Sequence, residues 1–363
     1  MSHDPADRRR RFVKIAIATG VAAALAATAW MVVRSSTGST DRRSGPAPVT
    51  SPPLPSTTGP PSPLTGRPST TADTRFALVV KIDAAPGVSR FAGLPRADLI
   101  YEVLVEGGIT RYLAIFQSED APKVGPVRSL RTSDFDLVAN LDRPVVAFSG
   151  ADALTLRASS SAPLIPFTPD SVGGTSVFRR DTNLRAPHNL FLSTTALRSQ
   201  IDDPGTVSPP FAHAGPADPP PGGASVAGLR IRFSDLSDAV FEWDGSRDEW
   251  LRWGRGRPQT DDRGTQLGVD NLLVLFTEYT HVPWDRNSPQ VVSVGAGFGL
   301  LLANGSMTPL TWRRESPDRP FTMTGPAGMP IALPPGRTWV AFTTPGTTTA
   351  LDAAAVTALG RRN

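Results

Sequence analysis

With 363 residues, 37 basic and 33 acidic side chains and no cysteine, the chain can bury one large core or two ordinary ones. Eight of the basic residues but only three of the acids lie in residues 1–43, leaving 29 and 30 for the rest, a net of −1. That balanced remainder offers no basic footprint for nucleic acid, and the absence of thiols removes disulfides, thiolate metal sites and cysteine nucleophiles.

Residues 1–14 form a basic tail ending in Arg8–Lys14, expected in the cytoplasm. Residues 15–33 are an uncharged apolar run of 19, about the minimum that spans a bilayer as a helix. The heavier positive charge before the run orients it with the remainder outside the membrane. Ala27-Thr28-Ala29 would suit signal-peptide cleavage, but the length of the run favours an uncleaved single-pass anchor. Residues 34–74 are rich in Ser, Thr, Pro and Gly and are expected to be a disordered linker.

Residues 75–202 predict an N-terminal α/β layered domain. Phe76–Asp83 (FALVVKID) is a buried strand leading to a Pro86-Gly87 turn, followed by strands at Leu99–Val105 and Ile109–Phe116. Alternation along the second strand would put Glu102 and Glu106 on one face. Thr132 or Ser133 is placed to cap a helix running to about Leu141, with Asp134 and Asp136 in its first turn. Val145–Phe148 is another strand. Gly150 opens a second helix (ADALTLRAS), and Thr194–Ile201 is a short last one.

Residues 203–228 (DPGTVSPPFAHAGPADPPPGGA and its flank) read as a Pro/Gly-rich linker. After it the runs become short, β-branched and aromatic, from Leu229–Phe233 to Thr338–Phe342, with hairpin turns at Asp244-Gly245 and Asn304-Gly305. Residues 229–345 therefore predict a C-terminal, mostly antiparallel β domain, with residues 346–363 as a tail. The overall class is α+β.

The motifs ADLIYEVLVEGGITRYLAIFQ (97–117), KVGPVRSLR (123–131) and RAPHNLF (185–191) resemble those of the YerB-like lipoprotein family. The C-terminal run NLLVLF…TWRRES…PGRTWVAF resembles the second part of that family. The resemblance implies a two-part bacterial extracytoplasmic domain whose biochemical function the family does not settle. This chain has no cysteine to lipidate, so the apolar helix is expected to supply the anchorage.

Chemistry concentrates around Gly107-Gly108. Arg128 and Arg131, three apart at a helix start, and Arg111 could clamp an anion by paired N–H donors. The competing structural reading pairs them with Glu102, Glu106 and Asp134 in a buried network. Glu102 and Glu106 would serve as an acid–base pair only if their environments split their pKa values. On one strand they would stand roughly 13 Å apart at about 3.3 Å per residue, too wide for ordinary glycoside cleavage. His188 would need an orienting partner, for which Asn189 and Asp181 are the nearest in sequence. No HExxH, P-loop or dinucleotide fingerprint occurs, and no metal or cofactor is expected. The expected function is a membrane-anchored envelope protein that binds an anionic cell-wall polymer through Arg111, Arg128, Arg131, Glu102, Glu106, His188 and Asn189. A hydrolase or transferase acting on phosphodiester-linked or glycan substrates is the first alternative. A scaffold for another envelope protein is the second.

Overall fold

The computed structural model describes residues 59–68, 75–215 and 223–360. The expected anchor at 15–33 and the basic tail lie outside these. Among the described residues no helix is long and apolar enough to cross a membrane. The fold is α+β, as the sequence predicts, and a large mixed sheet is its frame.

That sheet begins with Leu78–Asp83, whose alternation is masked because every residue is buried. It pairs antiparallel with Thr110–Phe116, which pairs antiparallel with Leu99–Leu104. On its other side Leu78–Asp83 runs parallel to Val145–Ala147, which leads to Ile165–Phe167 at the edge. Parallel strands need a long crossover, and the helix Thr132–Val138 with its continuation Ala139–Leu141 occupies this one. The expected cap moves back by one residue: Thr132 and Ser133 are helical, and the N-cap is Arg131. Asp134, three residues on, accepts the Arg131 backbone N–H at 2.8 Å, satisfying a donor that the helix start leaves free.

The C-terminal half is mostly antiparallel β, as expected, and it also adds a strand to the frame of the first half. Thr338–Thr343 inserts between Leu99–Leu104 and Asn271–Phe276 and runs parallel to both. Beyond Asn271–Phe276 the sheet continues antiparallel through Gly295–Ala303 and Ser306–Arg314. One sheet therefore spans both halves. The expected linker 203–228 is partly structured too: Phe211 is buried and bridges Phe321. The spacer before residue 75 also contributes, since Leu64 is buried and the Thr65 carbonyl accepts the Gly336 N–H at 2.7 Å. Composition hides both contacts, because one apolar residue in a Pro-rich run suffices to tether it.

A second sheet, Gly228–Arg232, Asp238–Asp244 and Glu249–Gly254 with short flanking strands, packs on one face of the frame. Leu229, Ile231, Phe241 and Trp250 there share a core with Val80, Ala114, Tyr112 and Trp339. The opposite face is covered by Leu137, Val138 and Leu141 of the helix and by Phe211 and Phe321. A hairpin, Tyr279–Val282 and Asp285–Val291, folds back on that helix: the Ser133 hydroxyl accepts the Val291 N–H at 3.0 Å.

Candidate functional site

Strand register sorts the charged residues onto two faces. Glu102, Tyr112 and Ile82 occupy one cross-strand row, and Asp83, Arg111 and Val103 the next. Side chains in successive rows point to opposite faces. Glu102 therefore points into the core beneath the second sheet, away from Arg111. There Arg252 donates from Nη2 to both Glu102 oxygens at 2.7 and 2.8 Å. Trp339 Nε1 donates at 2.9 Å and the Thr110 hydroxyl at 2.8 Å. The Arg252 guanidinium also lies over the rings of Trp339, Tyr112 and Phe241. Every acceptor site of the carboxylate is used within the core, a structural arrangement.

Glu106 is not on the strand with it. The strand ends at Leu104 and Glu106 begins a 3-10 turn, Glu106–Gly108, in which Gly107 adopts φ 69°. The positive φ is favourable to glycine and turns the chain so that Glu106 meets Arg131 on the other face. The Ser288 hydroxyl of the hairpin also donates to Glu106, at 2.8 Å. Burial opposes ionisation, but these hydrogen bonds win and hold the Glu106 carboxyl below the usual range.

Around that turn four cations and three carboxylates converge. Lys81, on the same face as Asp83, donates to Asp134 at 2.6 Å, both side chains fully buried. Burial pushes the Lys81 ammonium down to about 8; Asp134 opposes the shift, and Arg111 and Arg131 add to it. The stretch Pro126–Arg128 runs beside the end of the first strand, through Asp83 N–H to the Pro126 carbonyl at 2.9 Å and Arg128 N–H to the Lys81 carbonyl at 2.8 Å. This brings Arg128 Nε to 3.2 Å from Asp83 Oδ2.

The same oxygen meets His188 Nδ1 at 2.6 Å. Asp83 is fully buried, whereas the His188 side chain is 37 % exposed. The loop carrying His188 is fixed by its neighbours: Asn189 Oδ1 accepts from Arg180 at 2.9 Å, and its Nδ2 donates to the Leu184 carbonyl. Asn189 is thus a loop brace, and Asp181 pairs with Lys123 at 3.2 Å. Neither orients His188. Asp83 does, from 105 residues away.

Arg111 stands apart from these pairs. It is 4 % exposed, its Nη1 donates to the Ser129 carbonyl at 3.1 Å, and its Nε is buried without an acceptor. Among the described residues no carboxylate forms a salt bridge with it. Burial, then the neighbouring Arg131, lower its pKa to about 10. Once Lys81–Asp134, Arg131–Glu106 and Arg128–Asp83 are paired, Arg111 is the cation of the four without a salt-bridged carboxylate among the described residues; Asp285, bonded to the same Ser288 hydroxyl as Glu106, adds a further negative charge beside Arg131. Among the described residues no group of three or more histidine or carboxylate side chains could hold a metal ion.

The buried ammonium sets a pH dependence. Lys81 is lowered in the folded chain and ordinary in the unfolded chain, so the unfolded state holds the proton longer as pH rises. Stability should therefore climb between about pH 8 and 9.5, by roughly 1–2 kcal/mol at a limit of about 1.4 kcal/mol per pH unit. Above about pH 10 it should fall, because burial raises Tyr101, Tyr112 and Tyr279 and the unfolded tyrosines ionise first. Urea midpoints across pH 7.5–11 measure this; a flat profile to pH 9.5 would remove Lys81 as its source.

Two family models match the chain, Protein of unknown function (DUF3048) N-terminal domain over residues 64–207 and its C-terminal domain over residues 229–340. A Bacillus subtilis (strain 168) protein described as "Putative lipoprotein YerB" is 26 % identical over 276 residues, spanning 73 % of this chain and 80 % of that one. The crystal structure of the YerB protein from Bacillus subtilis superposes with a TM-score of 0.70 at 21 % identity, covering 80 % of this chain and 99 % of that chain. At that identity it shows a shared fold.

Proposed function

Because the chain belongs to the DUF3048 family, described as proteins of unknown function, we propose that it is an extracytoplasmic envelope protein whose Arg111–Arg128–His188 cluster binds an anionic ligand. Support for the location comes from the basic-then-apolar start of the sequence and from the lipoprotein description of the Bacillus subtilis relative. The apolar run at 15–33 would hold the protein to the membrane as a single-pass anchor. The partner is an anionic cell-wall polymer.

One observation carries the ligand chemistry: Arg111 is a buried guanidinium with an unsatisfied Nε and no carboxylate of its own. Burying an unpaired charge costs several kcal/mol, and an arriving anion would relieve that cost. Arg128, 24 % exposed, offers a second guanidinium within reach of solvent. Paired guanidiniums suit phosphate or carboxylate oxygens in bidentate geometry.

Titration of the purified protein with isolated anionic cell-wall polymer should show saturable binding that weakens as salt rises. Arg128→Ala should weaken it about 10–100-fold, the loss of one charge-assisted hydrogen-bonding group, measured at a temperature where the variant is folded, since the change also takes a cation from the buried Asp83. Equal affinity in wild type and Arg128→Ala would overturn the proposal.

A further inference from the structure

The residue beside the anion site is the one that matters most. His188 Nδ1 lies 2.6 Å from a fully buried carboxylate, Asp83. A carboxylate so placed accepts the Nδ1 proton, which fixes the tautomer and leaves the other ring nitrogen, Nε2, with its lone pair free. Among the described residues Nε2 has no hydrogen-bond partner. The ring is partly open to solvent, while the Asp83 carboxylate that orients it is buried, its Oδ1 accepting the Ala85 N–H at 3.0 Å and its Oδ2 facing Arg128 Nε at 3.2 Å. His188 spends a single nitrogen on the protein, and spends it on a buried carboxylate.

Resting on the anion-binding reading, we propose that the site is catalytic toward phosphodiesters, with His188 as the general base and acid and Asp83 as its positioning residue. The substrate class follows from combining the two halves of the site. The guanidiniums ask for an anion, and a proton-transferring imidazole asks for a bond that can be broken by hydroxyl attack. A phosphodiester carries its charge on the oxygens bonded to the attacked phosphorus, so the guanidiniums engage it before as well as during attack; a carboxylic ester or amide is neutral until attacked and engages them only then.

In the step, His188 Nε2 takes a proton from water as the water oxygen bonds to phosphorus. The bond from phosphorus to the leaving alkoxide breaks, and the proton held by His188 passes to that alkoxide. Diester and water give monoester and alcohol. An acceptor hydroxyl in place of water would give transfer by the same proton path. Arg111 and Arg128 act where negative charge grows on the equatorial oxygens. Asp83 holds the Nδ1 proton in place and balances the charge of the imidazolium as it forms, as a carboxylate does behind a catalytic histidine.

The test uses the full-length protein with bis(4-nitrophenyl) phosphate and, in parallel, isolated phosphodiester-linked cell-wall polymer, following 4-nitrophenolate and newly formed phosphomonoester. Wild type should hydrolyse at least one of them. His188→Gln, its fold checked by circular dichroism because the change removes a partner of the buried Asp83, should lose at least about 100-fold in kcat, a far larger effect than any change in its affinity for the polymer. Asp83→Asn should lower kcat without weakening binding of the polymer, since it misplaces the His188 tautomer but removes no guanidinium. Turnover by His188→Gln equal to wild type, or no turnover of either substrate by wild type, would overturn the catalytic proposal. Anion binding that persists in that outcome leaves the binding site standing; loss of both removes the two together.

Discussion

Glu102→Ala should lower the unfolding free energy by about 3–5 kcal/mol, read from urea unfolding by tryptophan fluorescence. The substitution removes the one carboxylate that, among the described residues, forms a salt bridge with Arg252, whose side chain is 3 % exposed, and leaves a buried guanidinium uncompensated. Trp339 Nε1 and the Thr110 hydroxyl lose their acceptor in the same event. Glu102→Gln keeps the shape and one acceptor but not the charge, so it should also destabilise, by less. The double change Glu102→Met with Arg252→Met should recover much of the loss, because two apolar side chains replace the pair and its desolvation cost disappears together with the attraction. A loss below about 1 kcal/mol in Glu102→Ala would mean that Arg252 finds water or another acceptor.

Asp134→Ala should cost a similar amount, about 3–5 kcal/mol, for a different combination of reasons. It strips Lys81 of its partner in a fully buried pair, and breaking such a pair leaves a buried cation. It also removes the acceptor for the Arg131 backbone N–H at the helix start, worth about 1 kcal/mol on its own. Asp134→Asn separates the two. The amide keeps an oxygen for the cap while losing the charge, so it should be about 1 kcal/mol less damaging than alanine. The substitution also loosens Ser129–Arg131, so anion binding should weaken in Asp134→Ala beyond the effect on stability. Equal losses in the alanine and asparagine variants would assign the whole effect to the ion pair.

Much of the framework was readable from pattern. The three strands around Gly107-Gly108 and the helix after Arg131 lie within a residue or two of where apolar runs and turn signals put them. The hairpins at Asp244-Gly245 and Asn304-Gly305 are likewise local. Pattern could not show that Thr338–Thr343 pairs with strands from both halves, because parallel pairing carries no turn between its partners. Of the candidate site residues, the turn brings Glu106, Arg111, Arg128, Arg131 and His188 together, while Glu102 belongs to a different face and Asn189 to the loop. Asp83 and Lys81 were passed over because they end an otherwise apolar strand. Two charges inside a fully buried run were the available signal, since such groups are not buried unless something pairs with them.

The insertion of Thr338–Thr343 into the middle of the frame also orders events in time. Until residue 343 is available, Leu99–Leu104 has a partner on one side only, and a bare strand edge is a template for pairing with other chains. Contacts between residues about 240 positions apart form slowly, so a chain delivered N-terminus first carries an open, apolar sheet edge throughout its delivery. The last long strand is the closing bolt of the first half's sheet as much as part of the second half.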